Sequence, residues 1–428
     1  VVRNAKLGVF GISLGVLAAT IGCGTTPEAQ QPPAQATTGA PSERPTFDPP
    51  RTFDMSAPMP LPDTASLSKI NLGGQRVEPL PVLLDGKRVW ISSVDRLEIV
   101  DITSGTVTAR LRPEHEPALS PPTLNPFVGG NPAQPPILAE TGAQRRVVTA
   151  FAATAPGQGT TPPRPVIEIL AVDAGTGREA QRIEIEPSDD DQHALTRKHP
   201  VVIGARGTVV VAQVGTDAVA VNLDDRREIW RRPDFTLGAV AGDVAVGTDA
   251  KTAVARALAI DSGTERWHTE PAETITIKPG SPKIVTATGA SRGRKQFFRL
   301  LDAATGRMLD ESTASSSTAY NITCLHDGRS VTICQDQRQD WAGAFDDSGK
   351  WLWELPDKKA NRIAPTVTTA WHGAVYGRTA NGPVILDART GEDRETAPGL
   401  TPWLVNEHAA VASPPDASGG VQLYRATG

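Results

Sequence analysis

Few stretches of this 428-residue chain bring together residue types that do chemistry. The densest is Asp189-Asp190-Asp191-Gln192-His193. Three adjacent carboxylates offer hard oxygen ligands to Ca²⁺, which takes about six to eight of them. They lack the Asp-x-Asp-x-Asp-Gly alternation that wraps a loop around the ion, so the expectation is a solvated loop and no metal site. His199 follows closely, but no Cys or second His stands at zinc-ligand spacing beside it. His115, His268, His326, His372 and His408 are scattered. The last three sit at or near hairpin-turn signals, which points to exposed turn positions and not to a shared centre. Gly11-Ile12-Ser13-Leu14-Gly15 fits the G-x-S-x-G nucleophile pattern but lacks the strand-turn-helix setting that lifts such a serine into reach. Arg292, Arg294 and Lys295 form a small basic loop, expected to be solvated. No catalytic, cofactor-binding or metal-ligating residue is expected.

A second set of carboxylates is periodic: Asp101, Asp173, Asp261, Asp302, Asp346 and Asp387. Each follows an apolar run and precedes small residues and Gly, as in Leu170-Ala171-Val172-Asp173-Ala174-Gly175-Thr176-Gly177-Arg178. Asn222 and Arg425 hold the place in two further copies, so the motif recurs eight times from residue 99 to 428. Such an Asp can accept backbone N–H groups of the turn that follows, and Gly tolerates positive φ, so these carboxylates are expected to be structural. The motif reads as strand, tight turn, strand. Upstream of most copies lie two more apolar runs joined by a turn signal, such as Asp85-Gly86 and Asp327-Gly328. Four strands per unit and a period of about 44 residues predict an all-β propeller of four-stranded antiparallel blades. Eight blades are expected, with seven as the alternative. The last unit ends where an outer strand should come, and residues 68–77 are expected to supply that strand and clasp the ring. Trp230, Trp267, Trp351 and Trp353 then read as blade-to-blade packing.

The motif resembles the pyrroloquinoline-quinone-type propeller repeat, roughly Ala-x-Asp-x-x-Thr-Gly-x-x-x-Trp. Residues 171–177 and 300–306 match its first part, while Ala220, Asn222 and Trp230 hold its outer spacing. The resemblance implies the propeller fold from about residue 68 onward. For function it implies little, because many members bind no quinone. The family dehydrogenases are longer, and many carry adjacent cysteines and a Ca²⁺ site of Glu, Asn and Asp. No counterpart stands in this chain, so neither quinone nor another cofactor is expected.

The opening residues are basic at Arg3 and Lys6 and then apolar over residues 7–21, the pattern of an export signal. Val1 is read as a non-Met start translated literally. The apolar run is shorter than the roughly 20 residues a spanning helix needs. It ends in Thr20-Ile21-Gly22-Cys23, which resembles a bacterial lipobox with Thr where Leu is usual. Cys23 is the expected lipidation site, and 1–22 the signal peptide. Residues 23–67, rich in Pro, Thr, Ala and Gln, should form a disordered tether reaching on the order of 100 Å. Residues 68–428 are assigned to the propeller. The combination resembles outer-membrane assembly-factor lipoproteins, which pair a lipid anchor with an eight-bladed propeller and act as scaffolds. Signal and tether here suggest an actinobacterial source instead.

The formal charge of −5 falls by two when Arg3 and Lys6 leave with the signal, to −7. A mildly acidic, unpatched chain argues against nucleic acid or an anionic membrane surface as the main partner. Cys324 and Cys334 flank the Asp327-Gly328 hairpin nearly opposite one another, and in an exported protein they form either a disulfide or two buried thiols. Two Pro/Gly-rich insertions, 112–136 between the first two units and 157–165 inside the second, read as surface loops or as a partner contact. The function expected is that of a monomeric, membrane-anchored, extracytoplasmic binding or scaffold module for a protein, peptide or glycan. The alternative is a propeller enzyme, a quinoprotein oxidoreductase or a lyase or hydrolase, with its site in the central funnel.

Overall fold

Strands with both faces buried read as continuous apolar runs, and blade 3 shows where the two faces go. In its third strand, Asp217–Asn222, Val219 and Val221 join a core shared with blade 2, while Ala218 and Ala220 join one shared with blade 4. The two-residue alternation of a strand thus sorts side chains between two neighbouring interfaces. Small residues dominate because sheets stacked face to face leave little depth between them.

The computed structural model describes residues 46–66, 79–119, 133–188, 199–293, 295–312, 322–414 and 420–428. Eight antiparallel sheets form among them. Blade 1 is typical: Val82–Asp85, Arg88–Ser92, Leu97–Asp101 and Val107–Leu111, paired in chain order. The first strands of neighbouring blades touch, from blade 2 round through blade 8 to blade 1, which places them about the axis. Eight hydrophobic clusters each join one adjacent pair of blades, including blades 1 and 2 through Trp90, Ile99, Phe151 and Leu170, and blades 8 and 1 through Val411, Leu423, Val89 and Val100. The ring is closed, and it has eight blades.

Closure differs from the expectation. Blade 8 contributes Leu404–Val405, Ala409–Ala412 and Gln422–Arg425, and its fourth strand is Met59–Pro60, paired Met59 with Leu423 and Pro60 with Gln422. A bridge from Phe53 to Ala426 extends the pairing. The clasp therefore lies ahead of 68–77, and residues 46–66, assigned above to the tether, are packed on the ring. Phe53, Leu61 and Ala65 are buried in the inter-blade clusters. These few apolar anchors are separated by Pro and polar residues, so composition alone conceals them.

Blade 2 also differs. The 112–136 insertion does not separate two blades but interrupts the first strand of blade 2. Glu116–Pro117 and Ile137–Thr141 both pair with the twelve-residue strand Gln144–Ala155, at different points along it. Its partner strand Arg164–Asp173 follows a short hairpin with a Gln158 to Thr161 bridge, so both insertions belong to this blade. No helix among the described residues is long and apolar enough to cross a membrane. Cys23, the leader, residues 67–78, Asp189 to His193 and Arg294 lie outside the described residues.

Candidate functional site

In a four-stranded meander the turn after the first strand and the turn after the third lie at the same end. The repeat carboxylates are therefore gathered on one end face, but each serves its own turn. Asp101 accepts the Ser104 N–H at 2.8 Å, Asp173 the Thr176 N–H at 2.7 Å and Asp302 the Thr305 N–H at 2.9 Å. Asp346 holds Ser348 and Lys350, and Asp387 holds Arg389 and Thr390. Hydrogen bonds from Thr176 hold the Asp173 carboxyl below its ordinary pKa. Asp261 is the exception. The turn bonds made by the Asp302 backbone are made in blade 4 by Ala259, which accepts from Gly263 N–H, so Asp261 stands two residues past the motif position and is exposed. The bracing carboxylate in blade 4 is Asp249, in the preceding turn.

The tryptophans lock neighbouring blades. Trp230, Trp267 and Trp353 donate their indole N–H to Ile260, Ala303 and Ala388 carbonyls of the next blade at 2.8–2.9 Å. Trp351 instead donates to Asp310 and packs edge-on against Phe345 and Trp341. Beside it, Cys324 and Cys334 face one another across the first two strands of blade 6 and are joined as a disulfide.

Buried charges are likewise tied to connections. Burial works to raise the Glu98 pKa, but Thr64, Arg110 and Arg96 outweigh it and hold the carboxyl low. Glu168 accepts the Glu114 and His115 N–H groups at 2.7 and 2.8 Å, fixing the entry to blade 2. Asp327 binds the Arg329, Ser330 and Val331 N–H groups of its own turn and Gly373 of the next blade. Burial opposes its ionisation, and those backbone donors more than offset it. Burial lowers His199 to about 4, and its Nδ1 donates to the Pro200 carbonyl.

His326, His372 and His408 stand at the turns that follow the first strands of blades 6, 7 and 8, all at the same end of the axis. Each neighbours a carboxylate: His326 Nε2 is 3.7 Å from Asp347, His372 Nδ1 is 2.5 Å from Asp48, and His408 Nε2 is 3.5 Å from Glu407. Among the described residues no three His, Cys, Asp or Glu side chains are grouped to hold a metal ion. Asp48 was invisible in the sequence reading. It takes hydrogen bonds from Trp371, His372 and Arg329, while Phe47 N–H bonds Glu407 and Tyr376 Oη donates to Pro50. The segment leading to the closing strand is thereby strapped across blades 6 to 8.

A cavity of about 420 Å³ lies where four successive first strands end, walled by Arg206 of blade 3, Val240 of blade 4, Pro279 and Ser281 of blade 5 and His326 of blade 6. A second, of about 540 Å³, sits between blades 1 and 2, and there Arg145 pairs with Asp85 and Glu140, Arg88 bonds the Ala174 carbonyl, and Asp101 and Asp173 brace their own turns. No signal in the sequence marked Arg206, a lone cation at a strand end.

No family model matches the chain, and no curated protein does. Solved structures similar to it include BamB from Moraxella catarrhalis, at 14% identity and TM-score 0.47, with 87% of this chain and 100% of that one covered. The dihydro-heme d1 dehydrogenase NirN in complex with DHE aligns at 12% identity and TM-score 0.45, covering 83% and 75%. A europium-containing methanol dehydrogenase aligns at 11% identity and TM-score 0.44, covering 86% and 92%. The eight-bladed assignment rests on the sheets themselves, and these likenesses concern the fold alone.

Proposed function

We propose that this chain is a binding propeller, held by a lipid at Cys23 to the outer face of the cell membrane, that engages a protein, peptide or glycan at the end face carrying the first-strand turns, and that it is not an enzyme. The observation that carries this reading is the division of labour on that face. Apart from the exposed Asp261, the repeat carboxylates and the Trp side chains that could resemble a reactive constellation are committed to turns and blade contacts, while four blades together frame an open cavity at the axis. A concave, largely apolar opening with a few polar groups is the usual form of a recognition site. The test is crosslinked pull-down from membranes with the intact chain, using Cys23→Ser as the unanchored control. Recovery of a defined protein with the anchored form only is the expected result. Equal recovery, or none above background, overturns the anchored-scaffold reading.

A further inference from the structure

The axial cavity has a charge as well as a shape. We propose that it recognises an acidic side chain of a bound peptide, with Arg206 as the anchoring cation. The inference rests on the binding reading above and names the ligand for it.

The ionisable groups that line the cavity are Arg206 and His326, and no carboxylate lines it among the described residues. Arg206 ends the first strand of blade 3, Val201–Arg206, and is exposed. Its guanidinium makes no side-chain hydrogen bond or ion pair with any described residue, unlike Arg145 with Asp85 or Arg329 with Asp48 on the same end face. A planar guanidinium presents paired N–H donors in the geometry a carboxylate accepts.

The opposite wall is set by His326 and Ser281. His326 Nδ1 accepts the Gly328 N–H at 3.1 Å, and its buried Nε2 is turned toward Asp347 at 3.7 Å and Asp327 at 4.0 Å, so the ring gives the cavity a wall and not a donor. The other carboxylate oxygen of Asp347 is 3.4 Å from Lys283 Nζ. Ser281 Oγ accepts the Lys283 N–H, and its own hydrogen remains available to an acceptor. Val240, Pro279 and Pro282 complete the wall with apolar surface suited to the methylenes of Asp or Glu. At about 420 Å³ the cavity is near the lower end of the roughly 300–1,000 Å³ of ligand pockets. It fits a side chain and its neighbours while the rest of a peptide continues over the open end face.

The experiment uses the full chain and a fluorescein-labelled hexapeptide with one central Glu among Ala and Ser, its Gln counterpart, and free glutarate as competitor. Anisotropy titration should show saturable binding of the Glu peptide. Binding should weaken about tenfold or more with the Gln peptide and with Arg206→Ala, and should be partly retained by Arg206→Lys. Since Arg206 is exposed, an unchanged melting temperature is the control for folding. Arg206→Ala binding as tightly as the parent, or no saturation up to about 1 mM, overturns the proposal. Glutarate matching the peptide overturns the peptide and assigns the pocket to a small dicarboxylate. The two readings separate cleanly. Undiminished partner capture by Arg206→Ala removes this inference and leaves the scaffold, whereas peptide binding without any captured partner does the reverse.

Discussion

Trp230 of blade 3 and Gly263 of blade 4 form one fitting. The indole N–H bonds the Ile260 carbonyl at 2.9 Å, and the ring lies so close to the glycine that a β-carbon there would stand 2.8 Å from Trp230 Cγ. Gly306 against Trp267 and Gly391 against Trp353 repeat it. At the closure Met59 takes the same place against Gly105, which identifies the short Met59–Pro60 segment as a true fourth strand.

Gly263→Ala is expected to destabilise the ring by about 2–3 kcal/mol, combining a left-handed φ of 69° with a clash against a ring fixed by its own hydrogen bond. Gly207→Ala has φ of 57° but meets nothing within 4 Å, so it should cost only about 1 kcal/mol. Urea titrations of the two variants decide it, and equal losses would remove the packing role of the indole.

The register of blade 4 makes a second contrast. Asp302→Ala loses the brace of its turn and should cost about 1 kcal/mol. Asp261→Ala should fall within about 0.5 kcal/mol of the parent, as for an exposed surface site. A loss at Asp261 equal to that at Asp302 would restore it to the motif position.

Asp48→Ala should loosen the strap without opening the ring. Asp48 is partly exposed, so the loss of its bonds to Trp371, His372 and Arg329 is expected to total about 1 kcal/mol. Hydrogen exchange should accelerate at the backbone amides of Asp54 and Leu61, which bond the Arg425 and Val421 carbonyls at either end of the third strand of blade 8, while the strands of blades 3 to 5 stay protected. Unchanged exchange at Asp54 would mean that the strap is held by Phe53 burial alone.

His199 makes stability depend on pH. Its folded value of about 4 lies below its ordinary 6.5, so the unfolded chain binds a proton across that window and the folded chain does not. Stability from this residue is complete above pH 6.5 and declines as pH falls toward 4. From pH 7.5 to 5, where most carboxylates stay ionised, the decline should be about 2 kcal/mol. His199→Gln should flatten this part of the profile in denaturant titrations, and an identical slope would show that the ring is hydrated in the folded state.

Reduction of Cys324–Cys334 should lower stability by no more than about 3 kcal/mol, since the two are only 10 residues apart and the loop they close is small. The hydrogen-bonded pairing of Thr323–His326 with Val331–Gln335 should survive it. Circular dichroism before and after reductant, with Cys324→Ser/Cys334→Ser as reference, measures the difference, and loss of β signal on reduction would show that the bond carries the blade.

The sequence by itself determined the four-stranded blade and favoured eight copies over seven. Apolar alternation, an Asp or Asn that closes its own turn, and Gly at positive φ are local properties of a strand pair, so each could be read from a window of about ten residues. Tertiary structure decided what depends on distant partners. Asp48 meets His372 across 324 residues, Met59–Pro60 and not 68–77 completes blade 8, and Arg206, Ser281 and His326 share one cavity only because four first strands end at the axis. A two-residue strand carries no periodicity, and a lone Arg at a strand end has no spacing to announce it. Their roles arise when the ring closes and sets side chains remote in sequence against the same opening.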